Sequence, residues 1–298
     1  MAAANGAGCP NFRSDDEVTL NTGESKILPN AITSYDLLKS FALITMIIDH
    51  VGHYLFPEQI GWRLVGRMSL PVWLFLIGYA RSREIPTALV AGAFVILASN
   101  LVFGENLLPL NILFTIVVAR LIIDRLMKVA LDGLFAFALV TYFLALLTPS
   151  LSILDYGTHA LLFAMFGYLV RHQDALPFPR YLVYVFALVA CTVQAFTQAE
   201  LFGASTQQSI YVWFMITAVG AVLCRFRAAE FPGLTRRLGI LPSAALRLMG
   251  RHTLLLYVVH LLVLKVVAAW WLWPEGWLFD WHLFMPQGDH HTPTLGNL

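Results

Sequence analysis

Nine stretches of roughly twenty mostly apolar residues recur along this 298-residue chain, near 34–55, 63–80, 86–104, 108–126, 133–149, 152–170, 179–198, 207–225 and 250–272. A helix needs about 20 such residues to cross a bilayer, because it rises only about 1.5 Å per residue through about 30 Å of hydrocarbon. Charged residues make up 12% of the chain, against about 25% in a soluble domain. Mean hydropathy is +0.71. The expected fold is an all-α integral membrane protein, a polytopic bundle of about nine transmembrane helices. Pro86, Pro109, Pro149, Pro177 and Pro179 fall at segment ends, where helices tolerate them. Pro71 lies inside the second segment and predicts a kink there.

Three parts are expected. Residues 1–33 read as a flexible cytoplasmic tail without the apolar core of a cleavable signal peptide. Residues 34–273 form the membrane domain, and 274–298 an external tail rich in aromatics and histidines. Orientation follows from basic residues, which concentrate in cytoplasmic loops. Arg81 and Arg83, Arg125 and Lys128, Arg171 and Arg180, and the run from Arg225 to Arg251 occupy alternate connections. The amino terminus is therefore expected in the cytoplasm and the carboxyl terminus outside. Trp270, Trp271, Trp273, Trp277 and Trp281 read as an interfacial belt. His282, His290 and His291 match no known metal-ligand spacing, and no metal is expected. Cys9, Cys191 and Cys224 are too few and too scattered for a disulfide framework. A net charge of +1 gives no reason to expect a nucleic-acid partner, whereas membrane lipid is expected around the bundle.

Ionisable residues inside the apolar stretches mark where chemistry could occur, because each costs several kcal/mol at membrane depth, roughly 2.5–3.5 on insertion scales. The first span carries Asp49, His50 and His53 on one half of its surface. A neutral imidazole oriented by a carboxylate is a plausible general base; a polar helix end that reaches the interface is the plainer alternative. Arg63 and Arg67 stand one turn apart at the same level. An Asp49–Arg67 pair would satisfy both charges, or Arg67 could hold an anionic substrate. Asn111 and Thr115 open the fourth span, with Arg120 and Asp124 read as an intrahelical pair at its far end. Asp155, Tyr156 and His159 gather at the outer end of the sixth. In the ninth, Tyr257 and His260 lie near the midplane and need a wet cavity between helices. Lys265 could snorkel outward. The chain has no HExxH, no GxSxG and no phosphate loop.

Five short motifs occur in order: Leu38-Lys39 with Asp49-His50, Gly66-Arg67 with Pro71, Asn111 through Thr115, Asp155-Tyr156-Gly157, and Tyr257-Val258-Val259-His260. This series, spread over about 34–272, resembles the TraX family. A histidine late in the first span and Tyr-x-x-His in a late one are also similar to the wider transmembrane acyltransferases. The resemblance implies acetyl transfer from acetyl-CoA to the amino-terminal amine of a conjugative pilin-like subunit at the bacterial inner membrane. It implies His50 with Asp49 as the acid/base pair, Arg67 as an anion or substrate contact, and His260 with Tyr257 as a second polar group at the cavity. Asn111, Tyr156 and His159 are the further candidates for substrate binding.

One tension accompanies this reading. Acetyl-CoA is cytosolic, whereas Asp49 and His50 are expected in the outer half. Either a cavity lets the pantetheine arm reach them, or an acetylated histidine relays the group. Two alternatives remain open, an acyltransferase acting on a cell-surface glycan or lipid and a proton-coupled transporter. Transporters commonly carry internal repeats, and the two halves of this chain show no convincing similarity.

Overall fold

The structure is a computed structural model that describes residues 30–271 and 278–284. The expectations for residues 1–29, for Trp273 and Trp277, and for His290 and His291 lie outside the described residues. Among those described there is no β-strand, only two isolated bridges, and the fold is all-helical.

Capping chemistry in the sequence sets where several helices begin. Thr33 accepts from the Asp36 amide while the Asp36 carboxylate accepts from the Thr33 amide, a capping box that opens α1, Ser34–Leu55. Asn111 caps α5, Ile112–Ala130, and Ser205 with Gln208 caps α9, Thr206–Cys224. The second stretch is two helices, α2 (Ile60–Gly66) and α3 (Ser69–Tyr79). The interruption falls at Arg67 and Met68, four residues before the proline expected to kink this span. Pro71 has no N–H to give the Arg67 carbonyl, so the helix is broken one turn upstream of the ring.

The remaining helices are α4 (Thr87–Val102), α6 (Leu134–Leu146), α7 (His159–Arg171), α8 (Tyr181–Leu201), α10 (Pro232–Leu238), α11 (Ile240–Arg251) and α12 (Thr253–Trp271). At the centre α3 crosses α7. A Cβ on Gly78 would stand 1.7 Å from the Ala164 carbonyl oxygen, and one on Gly167 1.9 Å from that of Phe75, so each backbone sits directly on the other. Phe75, Phe163 and Phe166 fill the space beside this crossing. Around it α1 packs on α2, α3, α11 and α12, while α4 and α12 close one side and α8 and α9 pair on the other.

Four helices are long and apolar enough to cross a membrane: Ile60–Tyr79 taken as one, α8, α9 and α12. Three more, α4, α6 and α7, are apolar but shorter. A helix lies in each of the nine expected stretches, yet length and hydropathy do not establish nine crossings. The outward surface is nonetheless that of a membrane protein. On α12, Leu255, Val259, Val263 and Val266 form an exposed apolar stripe, opposite the buried Tyr257, Leu261, Lys265 and Ala268. Water would make such a stripe costly; lipid does not.

Several expectations are corrected. The basic connection after α9 folds into α10 and α11 rather than running as a loop, and Ser40 donates to the Leu246 carbonyl to fix α11 on α1. Arg120 and Asp124 do not pair. Arg83 donates to Asp124 at 2.9 Å, and Arg120 donates to the Glu84 carbonyl at 2.6 Å, because both side chains reach the 80–84 connection. Lys265 does not snorkel. Only 2% exposed, it donates to Ser99 (3.0 Å), Asn100 (2.6 Å) and Glu105 (2.9 Å), which satisfies all three ammonium protons. Tyr54 donates to the other Glu105 oxygen at 3.0 Å. Within the stretch expected as an external tail, residues 278–284 are hydrogen-bonded through their backbone to Val102, Leu107 and Leu108 on either side of Glu105.

Candidate functional site

Helix α1 presents two different polar groups from adjacent positions. Asp49 and His50 are successive, so their side chains leave the helix about 100° apart and cannot face each other. Asp49 turns toward α2. Gly66 makes this possible, since a Cβ there would stand 2.1 Å from the Asp49 Cβ, and its absence lets the two helices touch. Arg63 then donates through Nε to Asp49 Oδ1 at 2.9 Å, and Arg67 donates through Nη2 to Oδ2. Arg63 also contacts His53 Nδ1 through Nη1.

Every nitrogen of Arg67 is committed. Nη1 donates to the Tyr156 hydroxyl (2.8 Å) and to Gln198 Oε1 (3.2 Å), and Nε to the Arg63 carbonyl (3.3 Å). The Phe202 ring lies 5.0 Å from each guanidinium carbon, a cation–π contact suited to desolvated arginines. Tyr156 reaches Arg67 because its backbone is left-handed (φ 66°), a conformation costing a non-glycine residue about 1–2 kcal/mol. Gly157 follows at φ 47°, where a Cβ would strike Ser150 Oγ at 2.4 Å. The bridge between Leu110 and Leu154, with Thr115 donating to the Asp155 carbonyl at 2.7 Å, holds this turn in place.

The expected Asp49–Arg67 pair is therefore present, but two assignments change. Asp49 does not orient His50, since both its oxygens are held by arginines. Arg67 spends four of its five N–H donors on protein partners, which makes it first a structural group. Gln198 and Phe202 were not anticipated; a glutamine on an otherwise apolar face of α8, one turn after the equally buried Gln194, was the available signal.

His50 turns instead toward α12. Its Nδ1 lies 2.8 Å from Nε2 of His260, with the rings stacked 5.0 Å apart between centroids. Hydrogen-bond geometry assigns the tautomers. Nδ1 of His260 sits 2.9 Å from the Leu256 carbonyl oxygen, which only accepts, so that nitrogen carries a proton. In the neutral ring its Nε2 must then accept, and Nδ1 of His50 donates. This leaves Nε2 of His50 with a lone pair and no hydrogen-bond partner among the described residues. His50 is half-buried, and that nitrogen is not among the sealed, unpaired polar atoms. Tyr257 completes the group, its ring 6.0 Å from His50 and 5.6 Å from His260.

Two further candidates are placed elsewhere. Asn111 accepts from the Leu113 amide at 3.1 Å and donates to the Ala93 carbonyl at 3.0 Å, so its amide is consumed in capping α5 and tying it to α4. His159, 1% exposed, turns to α6 and bonds the Ala145 carbonyl at 3.0 Å. It joins neither the arginine cluster nor the histidine pair. Among the described residues no three His, Cys, Asp or Glu side chains are grouped to hold a metal ion.

A partly open cavity of about 390 Å³ runs along α1, from Tyr35 and Lys39 to Met46, and is lined on its other sides by residues of α3, α4, α5 and α12. Its inner end is formed by Tyr257 and by Met46, one turn before His50. Lys39, Arg120 and Arg251 stand at its other end.

A family model described as "TraX protein" matches residues 34–268, which covers nearly all the helices above. An uncharacterised protein of Rickettsia prowazekii (strain Madrid E), RP591, is 29% identical over 148 residues, 49% of this chain and 60% of that protein. The chain thus spans about three-fifths of the curated relative it matches. No solved structure matches.

Proposed function

This chain belongs to the TraX family, and on that premise we propose that it is a membrane-embedded acetyltransferase. In this reading it moves an acetyl group from acetyl-CoA to the amino-terminal amine of a pilin-like subunit. It sits in the bacterial inner membrane and crosses it nine times, with the amino terminus in the cytoplasm and the carboxyl terminus outside.

The observation that supports this best is the His50–His260 pair. A neutral imidazole with an unpaired Nε2 on a half-buried ring is a suitable base for an amine, whose conjugate acid has a pKa near 7.7–8.0. His260 holds the tautomer, and the Leu256 carbonyl holds His260, as the third group does in a nucleophile–base relay. The amine lone pair attacks the thioester carbonyl carbon and forms the new C–N bond. Its proton passes to Nε2 of His50. The C–S bond then breaks, and the departing thiolate takes that proton to leave as CoA thiol. The Tyr257 hydroxyl, without a hydrogen-bond partner among the described residues, is the donor available to the oxyanion that develops between these steps.

The test uses purified protein in lipid, acetyl-CoA labelled in the acetyl group, and peptides bearing a free pilin-like amino terminus. Label should move to the peptide with wild type and fall by about 10²–10⁴-fold with His50→Ala, the range for loss of a general base. Transfer that survives the substitution removes His50 from the mechanism. Transfer only to glycan or lipid acceptors would keep the chemistry and replace the pilin.

A further inference from the structure

We propose that the basic end of the cavity binds the phosphate groups of the acyl donor, with the arm that carries the acetyl group lying along the apolar wall to Tyr257. This rests on the acetyl-CoA reading above and names how that donor is held.

Helix geometry sets the route. At 3.6 residues per turn, Tyr35, Lys39, Met46 and His50 fall within roughly 60° of one another on α1. One face of that helix therefore carries a cation at the basic end, an apolar middle and the proposed base. Lys39 and His50 are separated by roughly 16 Å along the axis at the 1.5 Å rise, a distance that an extended phosphopantetheine arm spans. On the facing helices Arg251 precedes α12 by two residues, while Tyr257 and His260 follow within its first turns. Both walls thus run from guanidinium or ammonium to imidazole in the same direction.

The chemistry of the wall points to the same ligand. The Lys39 ammonium is half-buried and makes no hydrogen bond among the described residues. Asp36, three residues earlier on α1, has its carboxylate accepting from Thr33 and lying 3.7 Å from Arg251 Nε. Arg120 spends Nη1 on the Glu84 carbonyl, and its buried Nε has no partner. The Lys39 ammonium and the Arg120 Nε, both at one end of an apolar slot, are thus cationic donors without a hydrogen-bond partner among the described residues, and a pyrophosphate or 3′-phosphate would meet them by charge-assisted hydrogen bonds. The indole N–H of Trp73, which also lines the slot, is unpaired as well. A polar group that is buried without a partner is uncommon in a finished structure, and the amide carbonyls of the donor arm would give it one. The same site would serve a phospholipid headgroup in place of a soluble donor, and the test separates the two.

Binding of radiolabelled CoA is measured on the full chain in phosphatidylcholine nanodiscs, for wild type, Lys39→Gln, Lys39→Arg and Arg120→Gln. Acetyl-pantetheine, which has no phosphate, is measured beside it. The expected result is about tenfold weaker CoA binding for each neutral variant, about 1.4 kcal/mol. Partial rescue is expected with Lys39→Arg, and acetyl-pantetheine binding should be unchanged throughout. If one variant fails to fold, judged by its melting temperature, the other carries the measurement. Wild-type CoA binding that neither variant weakens overturns the subsite and leaves the acetyltransferase reading standing. A wild type that neither binds CoA nor transfers acetyl sinks both. CoA binding abolished by adding phosphatidylglycerol, with lipid retention lost in Lys39→Gln, would assign the cations to lipid phosphate and overturn the donor assignment.

Discussion

Asp49 and His50 are neighbours in the chain, yet they belong to polar groups built on opposite terms. Around Asp49 the hydrogen-bonding groups are held: two arginines bond the two carboxylate oxygens, and Arg67 is further committed to Tyr156, Gln198 and a backbone carbonyl. Around His50 there is one hydrogen bond, to another neutral ring, and a lone pair left over. A saturated network resists change, because removing one member strands a buried charge. An unsaturated one costs little to alter and has capacity to bind. The contrast separates what holds the helices together from what can accept a proton, and the buried-ion cost that draws attention to both does not distinguish them.

The largest expected effect is on the saturated side. Arg67→Met should destabilise the protein by about 3–5 kcal/mol, the range for leaving one partner of a buried pair uncompensated. The loss should appear as a fall in the detergent melting temperature. A double variant with Asp49→Asn should recover part of it, and equal melting temperatures for wild type and Arg67→Met would mean the network is not structural. On the other side, His260→Ala should lower the transfer rate about 10²-fold, by freeing His50 to adopt the wrong tautomer, while shifting the melting temperature little. A loss of stability matching that of Arg67→Met would erase the distinction drawn here. Tyr257→Phe removes one oxyanion donor and should cost about 10²-fold or less in kcat, with KM for acetyl-CoA nearly unchanged. Smallest is Asn111→Ala, which should cost about 1 kcal/mol through the lost cap and leave transfer intact. A large loss of transfer there would return Asn111 to the site.

Much of this was legible beforehand because membranes make sequence blunt. Apolar runs gave the helices, and a buried charge requires a partner, so Asp49 and Arg67 could be matched 18 residues apart. His50 and His260, 210 residues apart, could be brought together only as polar groups that each need a wet cavity. The pairing of Asp49 with His50 was misread because adjacency in sequence is not adjacency on a helix. Lys265 was misread because its counter-ion, Glu105, lies in a connection 160 residues away with nothing local to mark it. Helices α10 and α11 escaped notice because Arg236, Arg237 and Arg247 interrupt any apolar window there. Of the cavity's cations, Arg120 was given to Asp124 and Arg251 to a basic connection, since sequence records that an arginine is present and not what its side chain faces.

The backbone bonds from 278–284 to Val102, Leu107 and Leu108 give a segment beyond α12 a hold on the loop that carries Glu105. That loop in turn anchors Lys265 on α12, the helix that supplies His260. A segment synthesised after α12 thus clasps the counter-ion of a helix already laid down. A chain cut short before 278 would leave that clasp undone, and its effect would travel inward to the imidazoles.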